Sequence, residues 1–294
     1  MRQLQIKNMA IGTWGDEILE PLQTEALEDL ESGKILYMPD LAFSINLDEE
    51  IFLSPIFLQK KIKNISYHPQ TDILKGAVGS GESLAKLKMM IKRFSHRAIF
   101  LIKQLFPFYN ENLEIGRTSF RPAEINHRNL SYRKDDTRLH VDAFPSSPTQ
   151  GRRILRVFSN INHNGIPRVW RIGENFENVA EKFIPLISRP LPGSLTLLEK
   201  LKLTRGRRTL YDHFMLKIHN KMKKDLQYQK NVTQIEFKFP SATTWIVQTD
   251  EVSHAAMSGQ HLLEQTFYLP FHAMKKPEKA PIKVLERLIG KELS

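Results

Sequence analysis

Arg138-Leu139-His140-Val141-Asp142-Ala143-Phe144-Pro145 is an apolar run of β type with a histidine and an aspartate two positions apart. On a strand, residues i and i+2 project to the same face, so His140 and Asp142 aim at one spot. An imidazole and a carboxylate, completed by a distant second histidine, form the two-histidine, one-carboxylate site of non-haem Fe(II) proteins. His-x-Asp often arises by chance, so the rest of the chain must supply the other parts.

The chain has 294 residues, 41% of them hydrophobic, enough for one or two domains with a substantial core. It has no cysteine, which excludes disulfides, iron–sulfur clusters and thiolate zinc sites. Met1 to Trp14 has no apolar segment of signal-peptide type. The most apolar window, Ala98 to Phe108, contains Lys103 and is too short to span a bilayer. The expectation is a cytoplasmic protein. The formal charge is +11, but residues 1–50 carry 11 acids against 3 bases, so residues 51–294 carry +19. Such a body attracts polyanions: nucleic acid, an anionic membrane surface, or an acidic substrate.

Working outward, the first 110 residues read mostly as helix, with Glu17–Ser32 and Gly81–Phe106 carrying apolar faces. Residues 1–12 and Ile35–Met38 are strand-like, and Lys60, Lys61 and Lys63 form a basic cluster. From Ile115 the pattern turns to β. Strands are expected at Thr118–Ile125, Arg138–Phe144, Arg153–Ile161, Arg168–Ile172, Thr233–Phe239, Thr243–Thr249, Val252–Met257 and His261–Leu269. Helices are expected at Glu174–Ile187 and Leu210–Gln227, the latter with Lys217, Lys221, Lys223 and Lys224. Many short strands with turn signals point to a β-barrel or sandwich. We therefore expect an α+β fold and one domain: a helical region of about 1–110 on a barrel core of about 115–272. The tail, about 277–293, has the pattern of an amphipathic helix that packs on its own domain, on a second subunit, or on an anionic membrane surface.

A site on a barrel needs its second histidine on a late strand. His254, in Val252-Ser253-His254-Ala255-Ala256-Met257, has small neighbours that leave room for a metal, and it is preferred; His261, one hairpin later, is the rival. Oxygenases of this class commonly hold 2-oxoglutarate, whose distal carboxylate needs a buried base, and arginine suits it. The closing segment Leu263-Glu264-Gln265-Thr266-Phe267 has no base. Arg156 lies in the apolar run Ile154–Phe158, so it must meet an anion, either a ligand or an internal acid. Gln265 and Thr266 can add neutral hydrogen bonds. Arg121 and the run Tyr132–Arg138, with Arg133, Lys134 and Arg138, are candidates for reading an acidic sugar or phosphate, with a solvated loop as the plain alternative. Trp170, in Pro167-Arg168-Val169-Trp170-Arg171, reads as core or wall; an aromatic flanked by two arginines also suits a carboxylate-bearing ligand.

Several stretches together resemble the Kdo 3-hydroxylases: Asp135–Ser146, Gly151–Phe158, Pro167–Gly173 and Leu263–Pro270. These are bacterial Fe(II)/2-oxoglutarate dioxygenases that hydroxylate carbon 3 of the 3-deoxy-D-manno-oct-2-ulosonic acid (Kdo) attached to lipid A precursors. The resemblance runs from about Arg121 to Pro270. It implies a double-stranded β-helix (jelly-roll or cupin-like) with added helices, working at the cytoplasmic face of the inner membrane. It implies Fe(II), 2-oxoglutarate and dioxygen as cofactor and cosubstrates, and Kdo-lipid A as partner. It carries the iron ligands to His140, Asp142 and His254 and the 2-oxoglutarate anchor to Arg156, and it puts Arg121 and Trp170 at the pocket. Nucleic acid is not an expected partner, because no array of exposed aromatics offers stacking. Oligomeric state is open. Two other readings stand beside it: an oxygenase for another anionic substrate, and a non-catalytic barrel that binds polyanions or membrane.

Overall fold

In the computed structural model, residues 5–60, 62–125, 131–191 and 206–293 are described. Lys61 of the basic cluster, and residues 1–4 of the first expected strand, lie outside them. Eleven strands are named here in chain order: β1 Ile6–Asn8, β2 Ile35–Met38, β3 Ile65–His68, β4 Ile73–Lys75, β5 Glu114–Arg121, β6 Arg153–Asn160, β7 Arg168–Ile172, β8 Ile235–Phe239, β9 Thr243–Gln248, β10 His254–Ser258 and β11 Leu262–Leu269.

They form two sheets. The larger has the order β1-β2-β9-β6-β11-β5-β3-β4, and the smaller β10-β7-β8. Every pairing is antiparallel except β1 with β2. Alternation along the strands builds two cores. On one face of the large sheet, Phe158, Trp245, Val247 and Leu262 meet Trp170, Ile172 and Phe239 of the small sheet. Trp245 lies flat between Phe158 and Phe239, with ring centroids 5.3 and 4.0 Å away. On the other face, Leu155, Val157, Ile246, Leu263 and Phe267 join the helical layer. β6 is therefore buried along its whole length, because it has a neighbour on both sides.

The helical layer is led by Gly81–Leu105, which presents Leu87, Met90, Ile91, Phe94, Ala98, Leu101 and Ile102 at three- and four-residue spacing. Ser80 caps it by accepting the N–H of Ser83. This is the double-stranded β-helix arrangement, with the large sheet extended at both edges by strands from the first 110 residues. That region is thus not only helical: it supplies β1 to β4.

Several boundaries shift for physical reasons. β5 ends at Arg121, since Pro122 has no N–H to pair. The expected strand Arg138–Phe144 is reduced to one antiparallel bridge, His140 with His254, while Asp142 N–H is taken by the Thr249 carbonyl at 2.8 Å. The helix Leu210–Lys224 stops where Asp225 caps the next short helix by accepting Tyr228 N–H. The tail helix, Pro281–Ile289, buries Ile282, Val284 and Leu285 in the core and packs on the helix Phe176–Phe183. Its apolar face is covered, so it is not a free face for a membrane. Among the described residues no helix is long and apolar enough to cross one.

Candidate metal centre

His140 and His254 pair across the seam by two backbone hydrogen bonds: His140 N–H donates to the His254 carbonyl at 3.0 Å, and His254 N–H to the His140 carbonyl at 2.9 Å. Their rings lie 4.8 Å apart. Each ring also meets a carbonyl through Nδ1, Arg138 O at 2.7 Å and Val252 O at 2.8 Å. A carbonyl only accepts, so both Nδ1 atoms carry the hydrogen and both Nε2 atoms present lone pairs. Asp142 adds a carboxylate oxygen 3.8 Å from His140 Nε2. One donor atom from each of the three residues lies within 4.8 Å of the others, and all three residues are buried. Two fixed, neutral imidazoles and one carboxylate suit a divalent iron and leave open positions.

Burial lowers both histidines, His140 well below its usual value. Burial pushes Asp142 up, but Arg156, His254 and the Thr249 hydroxyl together outweigh it and hold the carboxyl down to about 2. The donor set is therefore deprotonated near neutral pH, as metal binding requires.

The centre opens into a cavity of about 240 Å³. Lys63, Arg117, Arg121, Arg133, Lys134, Arg156, Arg168 and Lys223 line it, against the acids Asp136 and Asp142. Arg156 is bound by two internal acids, Asp142 at 3.0 Å and Glu264 at 3.0 Å. Glu264 is buried in β11 and also takes Arg121, at 2.8 Å. Burial pushes the Glu264 carboxyl up; Arg156, Arg121 and Arg117 together pull it below the usual range. Asp136 meets Lys63 at 2.7 Å and Lys223 at 3.5 Å. Burial again opposes, and Lys63, Arg121 and Lys223 hold it low. Trp170 is the wall behind the centre, stacked on His254 with centroids 5.0 Å apart.

Not every residue singled out in the sequence reaches the cavity. Arg121, Arg133, Lys134, Arg156 and Trp170 line it. Arg138 does not: its guanidinium is held by Asp135 at 3.0 Å and by the Lys223 carbonyl at 2.8 Å. Gln265 points the other way, because alternation gives the cavity face to Glu264; its Oε1 accepts from Ser95 and Thr118 at 2.9 and 2.6 Å. Thr266 lies opposite Arg156 in register and faces an adjoining cavity of about 370 Å³. His261 is no rival for His254, since its Nδ1 sits 3.2 Å from Asn162 Nδ2, outside the cavity lining. His127 lies outside the described residues.

Sequence reasoning missed His219, Lys223 and Glu264. His219 and Lys223 are four residues apart on the helix Leu210–Lys224 and so share a face. The His219 ring lies 5.0 Å from that of His140, and its Nδ1 meets the Val141 carbonyl at 2.9 Å. The signal was present: both sit among the apolar residues Met215, Ile218 and Met222, whereas Lys217 and Lys224 face solvent.

The family model for 3-deoxy-D-manno-oct-2-ulosonic acid (Kdo) hydroxylase matches residues 13–292. No curated protein matches the chain. Among solved structures, the Kdo hydroxylase KdoO, a non-haem Fe(II) α-ketoglutarate-dependent dioxygenase, is 50% identical to it. The complex of that protein with α-ketoglutarate and Fe(III) superposes with a TM-score of 0.96, covering 99% of this chain and 97% of that one. Its cobalt(II) complex gives 0.96 over 98% and 97%, also at 50% identity. Its complex with succinate and Fe(III) gives 0.95 over 98% and 97%, again at 50% identity. With the family model spanning nearly the whole sequence, and a buried histidine–aspartate–histidine cluster at the mouth of its barrel, this chain belongs to the Kdo hydroxylase family.

Proposed function

We propose that this protein is an Fe(II)- and 2-oxoglutarate-dependent dioxygenase that hydroxylates carbon 3 of Kdo in Kdo-lipid A. The observation that carries the reading is the cluster of His140, Asp142 and His254 at one end of a cavity lined by cations. The three residues would hold the iron. Arg156, beside Asp142, would anchor the distal carboxylate of the keto acid, with Thr266 close by. When bound, iron and 2-oxoglutarate together activate dioxygen; the keto acid leaves as succinate and carbon dioxide, and one oxygen atom replaces a C–H by C–OH on the sugar.

The chain's own residues orient and enclose. The two Nδ1–H···O=C hydrogen bonds fix the imidazoles, and Arg156 keeps Asp142 ionised. Trp170 and the aromatic stack behind it exclude water from that side. Arg121, Arg133, Lys134, Lys63 and Lys223 give the open side a positive field that suits an acidic sugar on a phosphorylated lipid. No side chain is needed as a general base, so the protein contributes placement and electrostatics.

Because the acceptor is a glycolipid, the enzyme works against an anionic membrane surface at the cytoplasmic face. We assign that contact to surface cations rather than to the covered tail helix. The test is mass spectrometry of Kdo-lipid A after incubation with the protein, Fe(II), ascorbate and 2-oxoglutarate. A gain of one oxygen atom, dependent on all three additions, is expected. Keto-acid consumption stimulated by oligonucleotides and not by the glycolipid would overturn the substrate assignment.

A further inference from the structure

Two lysines from distant parts of the chain meet at one carboxylate. Lys63 reaches Asp136 at 2.7 Å and donates to the Lys134 carbonyl. Lys223 reaches Asp136 at 3.5 Å and donates to the Arg133 carbonyl at 3.3 Å. All five residues line the cavity of the metal centre. The segments that carry the two lysines therefore lie beside its mouth.

Both segments expose aliphatic side chains there. On the first, the Phe57 carbonyl accepts the Val78 N–H at 2.8 Å, Gln59 N–H donates to the Gly76 carbonyl at 3.0 Å, and Leu58 is bridged to Ala77. Phe57, Leu58 and Ala77 pack against the core, whereas Ile56, Ile62 and Val78 are exposed, Ile56 by 75%. Ile62 lies across Gly76, where a Cβ would fall 2.6 Å from its Cδ1. On the second, Leu226 is 64% exposed and opens the short helix Leu226–Asn231, three residues after Lys223. Single exposed aliphatics are ordinary; four of them on segments beside one cavity mark an interaction surface.

Charge says which kind. Residues 51–71 and 73–81 hold Lys60, Lys61, Lys63 and Lys75 and no acid, and Asp72 between them is taken by Lys88 and Lys92 at 2.7 and 3.2 Å. Residues 213–235 hold five lysines against one acid, Asp225, which caps a helix by accepting Tyr228 N–H. Aliphatics set among lysines suit the headgroup region of an anionic bilayer: the apolar groups sink in and the ammonium groups meet lipid phosphates. Leu47 gives the contrast, being 86% exposed but beside the exposed acids Asp48 and Glu50, which such a surface repels. A second copy of this chain, docked about a two-fold axis, would set these lysines against themselves. Nucleic acid would use the lysines and leave the aliphatics in water.

We propose that Ile56, Ile62, Val78 and Leu226, with Lys60 and Lys224 beside them, dock the protein on an anionic bilayer and bring the cavity mouth to the headgroup plane. This rests on the glycolipid substrate of the proposed function and deepens it by naming the docking surface. The acyl chains of that substrate stay in the bilayer, so its sugar reaches the metal centre only where the mouth meets the membrane.

The test is sedimentation of the iron-loaded protein with vesicles of phosphatidylcholine and phosphatidylglycerol in equal parts, and of phosphatidylcholine alone. The wild type should bind the anionic vesicles and be released by salt. Ile56→Ser/Leu226→Ser should weaken that binding by on the order of 10-fold for each side chain. Lys60→Gln/Lys224→Gln should weaken it by about 5-fold for each charge, and Leu47→Ser should bind as the wild type does. With Kdo-lipid A in detergent micelles both double variants should keep kcat/KM within about 2-fold, losing turnover only on acceptor embedded in vesicles. A wild type that ignores anionic vesicles, double variants that bind them as the wild type does, or equal losses on micelles and vesicles would each overturn the inference. So would loss of a dimer in Ile56→Ser/Leu226→Ser with vesicle binding unchanged, which would give the surface to a second copy. Vesicle binding is read without turnover, so a wild type that binds and does not hydroxylate would sink the dioxygenase reading alone.

Discussion

His140 and His254 are directly opposed residues of one antiparallel pair, joined by two backbone hydrogen bonds of 3.0 and 2.9 Å. The same pair joins the His140 segment to the small sheet and sets the spacing of two metal donors. Local order at this pair and metal affinity are thus one property.

Loss of either ring should therefore abolish metal-dependent turnover. His140→Ala and His254→Ala are each expected to weaken Co(II) or Fe(II) binding by at least on the order of 100-fold, since even outer partners of ligands contribute 10- to 100-fold. Metal titration followed by absorption spectroscopy checks this. Wild-type affinity in either variant would remove that residue from the centre.

Glu264 should behave as a structural anion. It carries Arg121 and Arg156 at 2.8 and 3.0 Å, so Glu264→Gln leaves one buried and one half-buried cation short of a partner. We expect a loss of about 3 kcal/mol in urea unfolding, with part recovered in the double variant Arg121→Met/Glu264→Gln. Additive effects of the two substitutions would show that the pair is not coupled.

Acid should destabilise the metal-free protein earlier than carboxylate titration predicts. His140, His254, His219 and His261 are all lowered by burial from a usual value of 6.5. The unfolded chain takes up protons near that pH while the fold does not. Stability is therefore complete above it and declines as pH falls towards the lower folded values. Thermal unfolding between about pH 7.5 and 5.5 should show a decline steeper than one proton allows, and His219→Gln should reduce the slope. A flat profile over that interval would refute it.

Gly259→Ala should be costly for backbone reasons alone. A φ of +104° disfavours any L side chain, and the added carbon collides with the Pro167 carbonyl. A loss of about 2 kcal/mol or more in denaturant unfolding is expected. Gly165→Ala, where φ is +74° but space is open, should cost less. Equal losses would show that the close approach at Gly259 does not matter.

Much of the centre was legible because its signals are local. The spacing of His140 and Asp142 reads directly off a period of two, although the strand itself shrinks to one bridge. The small residues after His254 also mark it correctly, and Arg156 in its apolar run does find anions. What escaped is non-local. The closing strand was correctly read as lacking a base, yet its acid, Glu264, draws Arg121 and Arg156 from the strands on either side. That depends on pairing register, which no single stretch encodes. His219 and Lys223 come from a helix roughly 80 residues later in the chain than His140 and Asp142, and β2 joins the large sheet through β9, from the far end of the sequence.

The bridge Arg121–Glu264–Arg156 crosses β5, β11 and β6 like a rivet through three planks. Any anion that settles on either guanidinium must compete with Glu264 for it. Cosubstrate occupancy would then be transmitted to the stiffness of the sheet itself. Amide hydrogen exchange along residues 262–269 would serve as an occupancy gauge that needs no chemistry to take place.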